Sequence, residues 1–280
     1  MSSSYRGRLA PSPTGFLHVG HARTFWTAQE RAIQAGGALV LRNEDLDRAR
    51  SRPEFVEAML EDLRWFGFRW QEGPDCGGPF APYSQSERGE IYRAGFETLR
   101  SSGLAYPCYC SRRDVMRALN APHVSDDEPI YPGTCRHGSE HRGSRPPSWR
   151  FRVPDGESVE FNDGGFGNQR FVAGRDFGDF VIWRHDEFPS YQLAVVMDDA
   201  AMKITEVVRG ADLLLSTARQ LLLYRALGFQ SPSFYHCPLV TNEAGERLAK
   251  RDDAASLRTL RAQGVTPEEI RRRWVAITSS

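Results

Sequence analysis

The sequence predicts an α/β protein built on a doubly wound, mostly parallel sheet, and three observations carry that reading. The apolar run Leu9-Ala10, a helical stretch from about Ala22, and the apolar run Ala38-Leu39-Val40-Leu41 follow one another near the N-terminus. Strand, helix and strand within about forty residues form a βαβ unit whose second strand lies parallel to the first. Between the first strand and its helix stands Pro11-Ser12-Pro13-Thr14-Gly15-Phe16-Leu17-His18-Val19-Gly20-His21. It falls at the strand's carboxyl end, where helix amides open and a doubly wound sheet holds anionic groups. Later the chain returns to short apolar runs, Phe180 to Trp183 and Leu193 to Met197, which read as further strands.

The elements follow in order. Gly36-Gly37 stops the first helix ahead of the second strand. Arg52-Pro53-Glu54 starts another helix, with Val56, Met59, Leu60, Leu63 and Phe66 on one apolar face and Gly67 as its stop. A further helix is expected from Gln85 to Arg100, ended by Gly103. From Leu104 to about Phe171 prolines, glycines and cysteines replace periodic runs, which reads as an insertion across the sheet. A helix from Ser216 to Leu227 ends at Gly228, and Thr266-Pro267-Glu268-Glu269 opens a last one. The expected division is 1–103 and 172–251 as halves of one catalytic domain, 104–171 as the insertion, and 252–280 as a short helical segment.

Composition narrows the class. The 280 residues are 40% apolar and 26% charged, with formal net charge zero, so no global field draws the protein onto nucleic acid. Five cysteines are an odd number, no apolar stretch reaches membrane-spanning length, and the N-terminus lacks the apolar core of a signal peptide. A reducing cytoplasm is the expected setting, with no membrane and no obligate protein partner. Among the 36 Lys and Arg residues only Lys203 and Lys250 are lysine. Lys250 lies in the polar stretch Glu246-Arg247-Leu248-Ala249-Lys250-Arg251, where packing gives no reason to refuse arginine. A compact ammonium on a flexible stem suits a phosphate oxygen that must be followed through a reaction.

Three cysteines suggest a metal. Cys108 and Cys110 have C-x-C spacing, and Cys135 sits on a later glycine turn in Ile130-Tyr131-Pro132-Gly133-Thr134-Cys135-Arg136-His137. Such thiols suit one structural, tetrahedral zinc. Coordination chemistry alone favours His137 as the fourth ligand. Cys76 and Cys237 stand apart and are expected to be unreactive.

The extended string R-x-A-P-S-P-T-G-x-L-H-V-G-H-A-R, from Arg8 to Arg23, resembles the ATP-binding signature of class I aminoacyl-tRNA synthetases of the glutamate and glutamine branch. A lone H-x-G-H would be a weak pattern; this length of match is not. Arg247 to Arg251, R-L-A-K-R, resembles the family's second signature, the K-M-S-K-S loop, with Ala249 in place of its serine. The resemblance implies a Rossmann-type catalytic domain with a zinc-containing insertion. It implies His18, Gly20, His21 and Lys250 as ATP-binding residues, His18, His21 and Lys250 as catalytic, and ATP with Mg²⁺ as substrate. Asp45 and Asp47 are candidate Mg²⁺ ligands, with ion pairs to Arg42 and Arg48 the equal alternative; Asp198 and Asp199 are as ambiguous.

The strings Y-x-x-A-V-V-x-D-D from Tyr191 and V-V-R-G-x-D around Arg209 resemble glutamate-binding segments of the family. By that resemblance the L-glutamate pocket comprises Arg8, Leu9, Ala10, Pro11, Ser12, Glu44, Tyr191 and Arg209. Arg8 and Arg209 would hold carboxylates and Glu44 the ammonium. The Y-x-x-x-C pair of Tyr131 and Cys135 resembles the zinc site of a short branch of the family, which implies Cys108, Cys110, Tyr131 and Cys135 as ligands, with His137 the rival. Only thirty residues follow Lys250, and members charging tRNA at the 3′ end continue into an all-helical anticodon-binding region. The short branch instead attaches glutamate to the queuosine base in the anticodon of tRNA(Asp), and activates it without tRNA. The expected partners are therefore L-glutamate, ATP and queuosine-bearing tRNA(Asp). A compact synthetase charging the 3′ end and a catalytically silent tRNA-binding paralogue are the alternatives.

Overall fold

The computed structural model describes residues 4–111, 113–115, 130–138, 146–239 and 256–278. The Lys250 segment lies outside them. In chain order the elements are β1 (Arg6–Leu9), α1 (Val19–Gln34), β2 (Ala38–Leu41), α2 (Pro53–Phe66) and α3 (Gly89–Ser101). Next come β3 (Ala105–Cys108), β4 (Ser148–Phe151), β5 (Ser158–Asp163), β6 (Gly167–Val172) and β7 (Phe180–Trp183). The chain continues with α4 (Tyr191–Ala201), β8 (Glu206–Gly210), α5 (Leu214–Leu227), β9 (Ser233–Cys237), α6 (Leu257–Ala262) and α7 (Pro267–Thr278). Contacts divide it into two units. The first is Met1–Arg88, Lys203–Leu213 and Pro232–Ser280; the second is Gly89–Met202 and Leu214–Ser231.

The first unit is the parallel α/β layer. β1 pairs parallel with β2, Leu9 opposite Leu41, and β8 pairs parallel with β9, Arg209 opposite His236. The two pairs meet where the Thr205 amide donates to the Arg6 carbonyl at 2.9 Å. Since the Arg8 side chain reaches the Val208 carbonyl further along, β1 and β8 also run the same way. The carboxyl ends of β2, β1, β8 and β9 thus lie along one side, the side on which such sheets bind ligands. Apolar residues of these strands pack with Phe25, Ala28 and Ala32 of α1, Met59, Leu63 and Phe66 of α2, and Ile270 and Trp274 of α7. Phe66 stacks on Trp274 with centroids 5.6 Å apart, which fixes the last helix to α2. α2 begins on Pro53 and ends at Gly67, whose φ of 98° only glycine adopts readily.

In the second unit β3, β4 and β7 form an antiparallel sheet and β5 and β6 a hairpin. The run Leu193 to Met197, expected as a strand, is instead the core of helix α4. Every residue from Leu193 to Asp199 is buried, so the helix shows no polar face by which its period would be read. The start signal was present: Ser190 is the N-cap and its hydroxyl accepts from the Leu193 amide. Asp198 accepts from the Tyr92 hydroxyl at 3.0 and 3.1 Å, which gives it a structural partner on α3.

Candidate functional site

The two signature histidines build the N-terminus of α1. His18 is the N-cap, its Nδ1 accepting from the Gly20 amide at 3.1 Å, while Nδ1 of His21 accepts from the His18 amide at 3.4 Å. This is a capping box made of imidazoles in place of the usual hydroxyl and carboxylate. The rings lie 3.7 Å apart, centroid to centroid. Because each Nδ1 is an acceptor, each neutral ring carries its proton on Nε2.

The pocket residues of the first unit gather at the same strand ends. The Arg42 amide donates to the Leu9 carbonyl at 2.8 Å and the Glu44 amide to the Pro11 carbonyl at 3.0 Å. These bonds tie the Leu9-Ala10-Pro11-Ser12 turn to the end of β2. Arg8 is buried, its Nη1 2.8 Å from the Val208 carbonyl, one residue from Arg209. Glu44 is buried and its Oε1 accepts from Arg42 at 2.9 and 3.2 Å. Arg209, also buried, donates from Nε to Nε2 of His236 at 3.1 Å and from Nη2 to the Leu213 carbonyl at 3.4 Å.

Two residues here had not been singled out for the pocket, Arg42 and His236, and both are 0% exposed. Arg42 pairs with Glu44 at 2.9 Å. Asp45 accepts from the amide and hydroxyl of Ser86, and Asp47 pairs with Arg50. His236 orients Arg209 across the β8–β9 pair, and accepting from a guanidinium requires its Nε2 to be unprotonated. The sequence signal was a lone histidine in the strand Ser233–Cys237. Ser12 is exposed in the turn after β1. Tyr191 belongs to the second unit, where it opens α4 and is 39% exposed.

The second unit holds a thiol cluster. Ligand atoms of Cys108, Cys110 and Cys135 lie within 4.8 Å of one another. The Tyr131 hydroxyl is 3.4 Å from Cys108 Sγ and 3.6 Å from Cys110 Sγ, and accepts from the Cys135 amide at 2.8 Å. Cys110 and Cys135 sulfurs are 3.6 Å apart. A tetrahedral zinc with bonds of about 2.3 Å to sulfur and about 2.0 Å to oxygen requires S···S near 3.8 Å and S···O near 3.5 Å. The three separations of 3.4, 3.6 and 3.6 Å lie close to those values. Burial pushes the Cys110 thiol up to about 11, and burial and the neighbouring thiols push the Tyr131 phenol up as well. A divalent cation is the agent that displaces such protons.

His137 is not in that group; it is exposed and lines an open cavity of about 520 Å³ with Tyr106, Tyr109, Arg136 and Arg152. A further residue not read from the sequence supports the cluster. Arg150, buried on β4, stacks its guanidinium 3.8 Å from the Tyr131 ring centroid and donates to Cys108 Sγ at 3.3 Å. Around a divalent cation, three thiolates and a phenolate would carry excess negative charge, and this guanidinium would offset part of it. Cys76 is exposed and Cys237 buried, both outside the cluster.

Known proteins share this sequence and this fold. Residues 4–277 match the family described as tRNA synthetases class I (E and Q), catalytic domain. A protein named glutamyl-Q tRNA(Asp) synthetase from Symbiobacterium thermophilum is 52% identical over 271 residues, covering 94% of this chain and 83% of that protein. Glutamate–tRNA ligase 1 of Halorhodospira halophila is 44% identical over 93% of this chain but only 56% of its own length. The crystal structure of glutamate-tRNA synthetase from Elizabethkingia anophelis superposes with a TM-score of 0.79 at 33% identity, over 89% of this chain and 53% of that one. The chain thus spans little more than half of these longer ligases. It belongs to the class I tRNA synthetase family of the glutamate and glutamine type, alongside the glutamyl-Q tRNA(Asp) synthetases, and is a ligase.

Proposed function

We propose that the protein activates L-glutamate with ATP, without tRNA, and transfers the glutamyl group to the queuosine base in the anticodon of tRNA(Asp). The observation that supports activation is the junction of the α1 helix start, capped by His18 and His21, with a buried Arg8, Glu44 and Arg209 set at the same strand ends. An oxygen of the glutamate α-carboxylate attacks the α-phosphorus of ATP, a P–O bond forms, and pyrophosphate leaves. His18 and His21 donate from Nε2 to phosphate oxygens where charge develops. Gly20 allows close approach of the nucleotide, and Lys250, outside the described residues, is assigned to the leaving pyrophosphate. Arg8 and Arg209 receive carboxylates, Glu44 the ammonium, and Ser12 lies beside them; Tyr191 is assigned to glutamate by the family resemblance alone. Mg²⁺ accompanies ATP.

The acceptor is supported by the relatives. Two proteins named glutamyl-Q tRNA(Asp) synthetase match at 52% and 48%, each over 83% of its length. A hydroxyl of the queuosine cyclopentene diol attacks the adenylate carbonyl, an ester bond forms, and AMP leaves. The cytoplasm is the proposed setting; among the described residues no helix is long and apolar enough to cross a membrane. One Zn²⁺ held by Cys108, Cys110, Tyr131 and Cys135 would supply rigidity to the insertion at 104–171, a closed site with no position for water.

The 44% identity to a glutamate–tRNA ligase favours a second reading, charging of the 3′ end. Glutamate-dependent exchange of label between pyrophosphate and ATP tests the activation step that both readings share. Exchange with glutamate and none with glutamine is expected. Equal exchange with glutamine would overturn the pocket, because a site built for a carboxylate leaves a buried arginine unpaired with an amide.

A further inference from the structure

The backbone at the first histidine is held by a segment distant in sequence. The Leu257 amide donates to the Leu17 carbonyl at 2.7 Å, and Ser256 forms an isolated bridge with His18. Ser256 also caps α6, its hydroxyl accepting from the Thr259 amide, while Leu257 is buried in the same apolar cluster as Leu17. α6 has only six residues, too few to persist without tertiary contacts.

Charge holds it in place. Arg258 pairs with Glu61 of α2, and its Nε lies 3.7 Å from Oδ1 of Asp62. Its guanidinium also sits 5.6 Å from the ring of Phe16, in the first signature itself, and Phe16 meets Phe55 of α2 edge-on at 5.3 Å. Asp62 is 0% exposed, and neither of its oxygens has a hydrogen-bond partner among the described residues. The charged groups facing it are Arg258 and Arg261 of α6 and its neighbour Glu61. Burial shifts the Asp62 carboxyl upward, and the guanidiniums of Arg258 and Arg261 oppose that shift, so α6 brings compensating positive charge to α2.

We infer that Arg258 is a positioning residue for the activation site: it fastens α6 to α2, and through Ser256 and Leu257 it fixes the Leu17–His18 backbone that aims the imidazoles. The inference rests on His18 acting in activation. It goes beyond the family signatures, since Arg258 lies in neither.

The test compares the full-length protein with Arg258→Ala and Arg258→Lys by hydrogen–deuterium exchange and by glutamate-dependent pyrophosphate exchange. In Arg258→Ala the Leu257 and Ala22 amides, which bond to Leu17 and His18 carbonyls, should exchange about tenfold faster or more. The exchange kcat should fall on the order of tenfold with the glutamate KM unchanged, and Arg258→Lys should restore most of both. Unchanged amide protection would overturn the inference. So would loosened amides with a wild-type kcat, or a loss of kcat accompanied by an equal rise in glutamate KM. If the wild-type protein shows no pyrophosphate exchange, the functional reading fails. The amide rates still decide whether Arg258 holds the Leu17–His18 backbone.

Discussion

Replacing Tyr131 with phenylalanine removes one oxygen and nothing else from the thiol cluster. That oxygen lies 3.4 and 3.6 Å from two sulfurs and accepts the Cys135 amide. If it is a zinc ligand, its loss removes one of four bonds. Structural zinc sites contribute about 10–16 kcal/mol, so each ligand carries roughly 3–4 kcal/mol, or two to three orders of magnitude in affinity. Water can enter the vacated position and return part of this, which leaves a loss of about a hundredfold or more as the expectation. An outer-shell hydrogen bond, by contrast, is worth roughly ten- to a hundredfold. Competition with a chromogenic chelator at neutral pH measures the difference directly. His137→Ala, outside the cluster, should leave zinc affinity within about threefold. If Tyr131→Phe retains zinc within about threefold while His137→Ala loses it, the assignment of the fourth ligand is wrong.

Two further outcomes follow from buried pairs. His236→Leu leaves the Arg209 Nε donor without its acceptor, an imbalance of about 1–3 kcal/mol, so the glutamate KM in pyrophosphate exchange should rise roughly ten- to a hundredfold; an unchanged KM would remove His236 from the pocket. Glu72 accepts both Arg6 nitrogens, at 2.8 and 3.0 Å, and the Tyr83 hydroxyl at 2.6 Å, and the Arg6 guanidinium holds its carboxyl below the usual range. Its folded value is depressed, so its contribution to stability is present above the unfolded value near 4.3 and is lost as pH falls through the folded one. Glu72→Gln should therefore cost about 2 kcal/mol or more near pH 7 in denaturant melts, with the difference from wild type shrinking near pH 3. A difference that does not depend on pH would refute the ion-pair account.

Much of this was legible because local chemistry and fold point the same way. Pro53 and Gly67 bracket α2 as read, and the strand–loop–helix around His18 places the signature where a parallel sheet needs it. α4 was missed because complete burial erases the alternation of polar and apolar faces that distinguishes helix from strand. Arg42, Arg150 and His236 were missed for another reason. Each acts by supporting another side chain; for His236 the partner is supplied by strand register 27 positions away, and for Arg150 by stacking on Tyr131, a residue of a separate segment. Glu44 and Arg42 are two positions apart, so their side chains share one face of an extended backbone, a local signal that was available. Arg258 lies beyond the second signature, and nothing in its own segment announces the buried Asp62 nearly two hundred positions earlier.

The central claim is the acceptor, and locating transferred glutamate on tRNA tests it most directly. The protein is incubated with ATP, labelled glutamate and tRNA(Asp), with and without queuosine, and the tRNA is then digested with nuclease. The account predicts label on the anticodon fragment of queuosine-bearing tRNA(Asp) and none on the same tRNA with unmodified guanosine. An unpaired loop base is open to such recognition, since it can be splayed from its stack into a pocket. Label on the 3′-terminal adenosine, or on tRNA(Glu), would contradict the account.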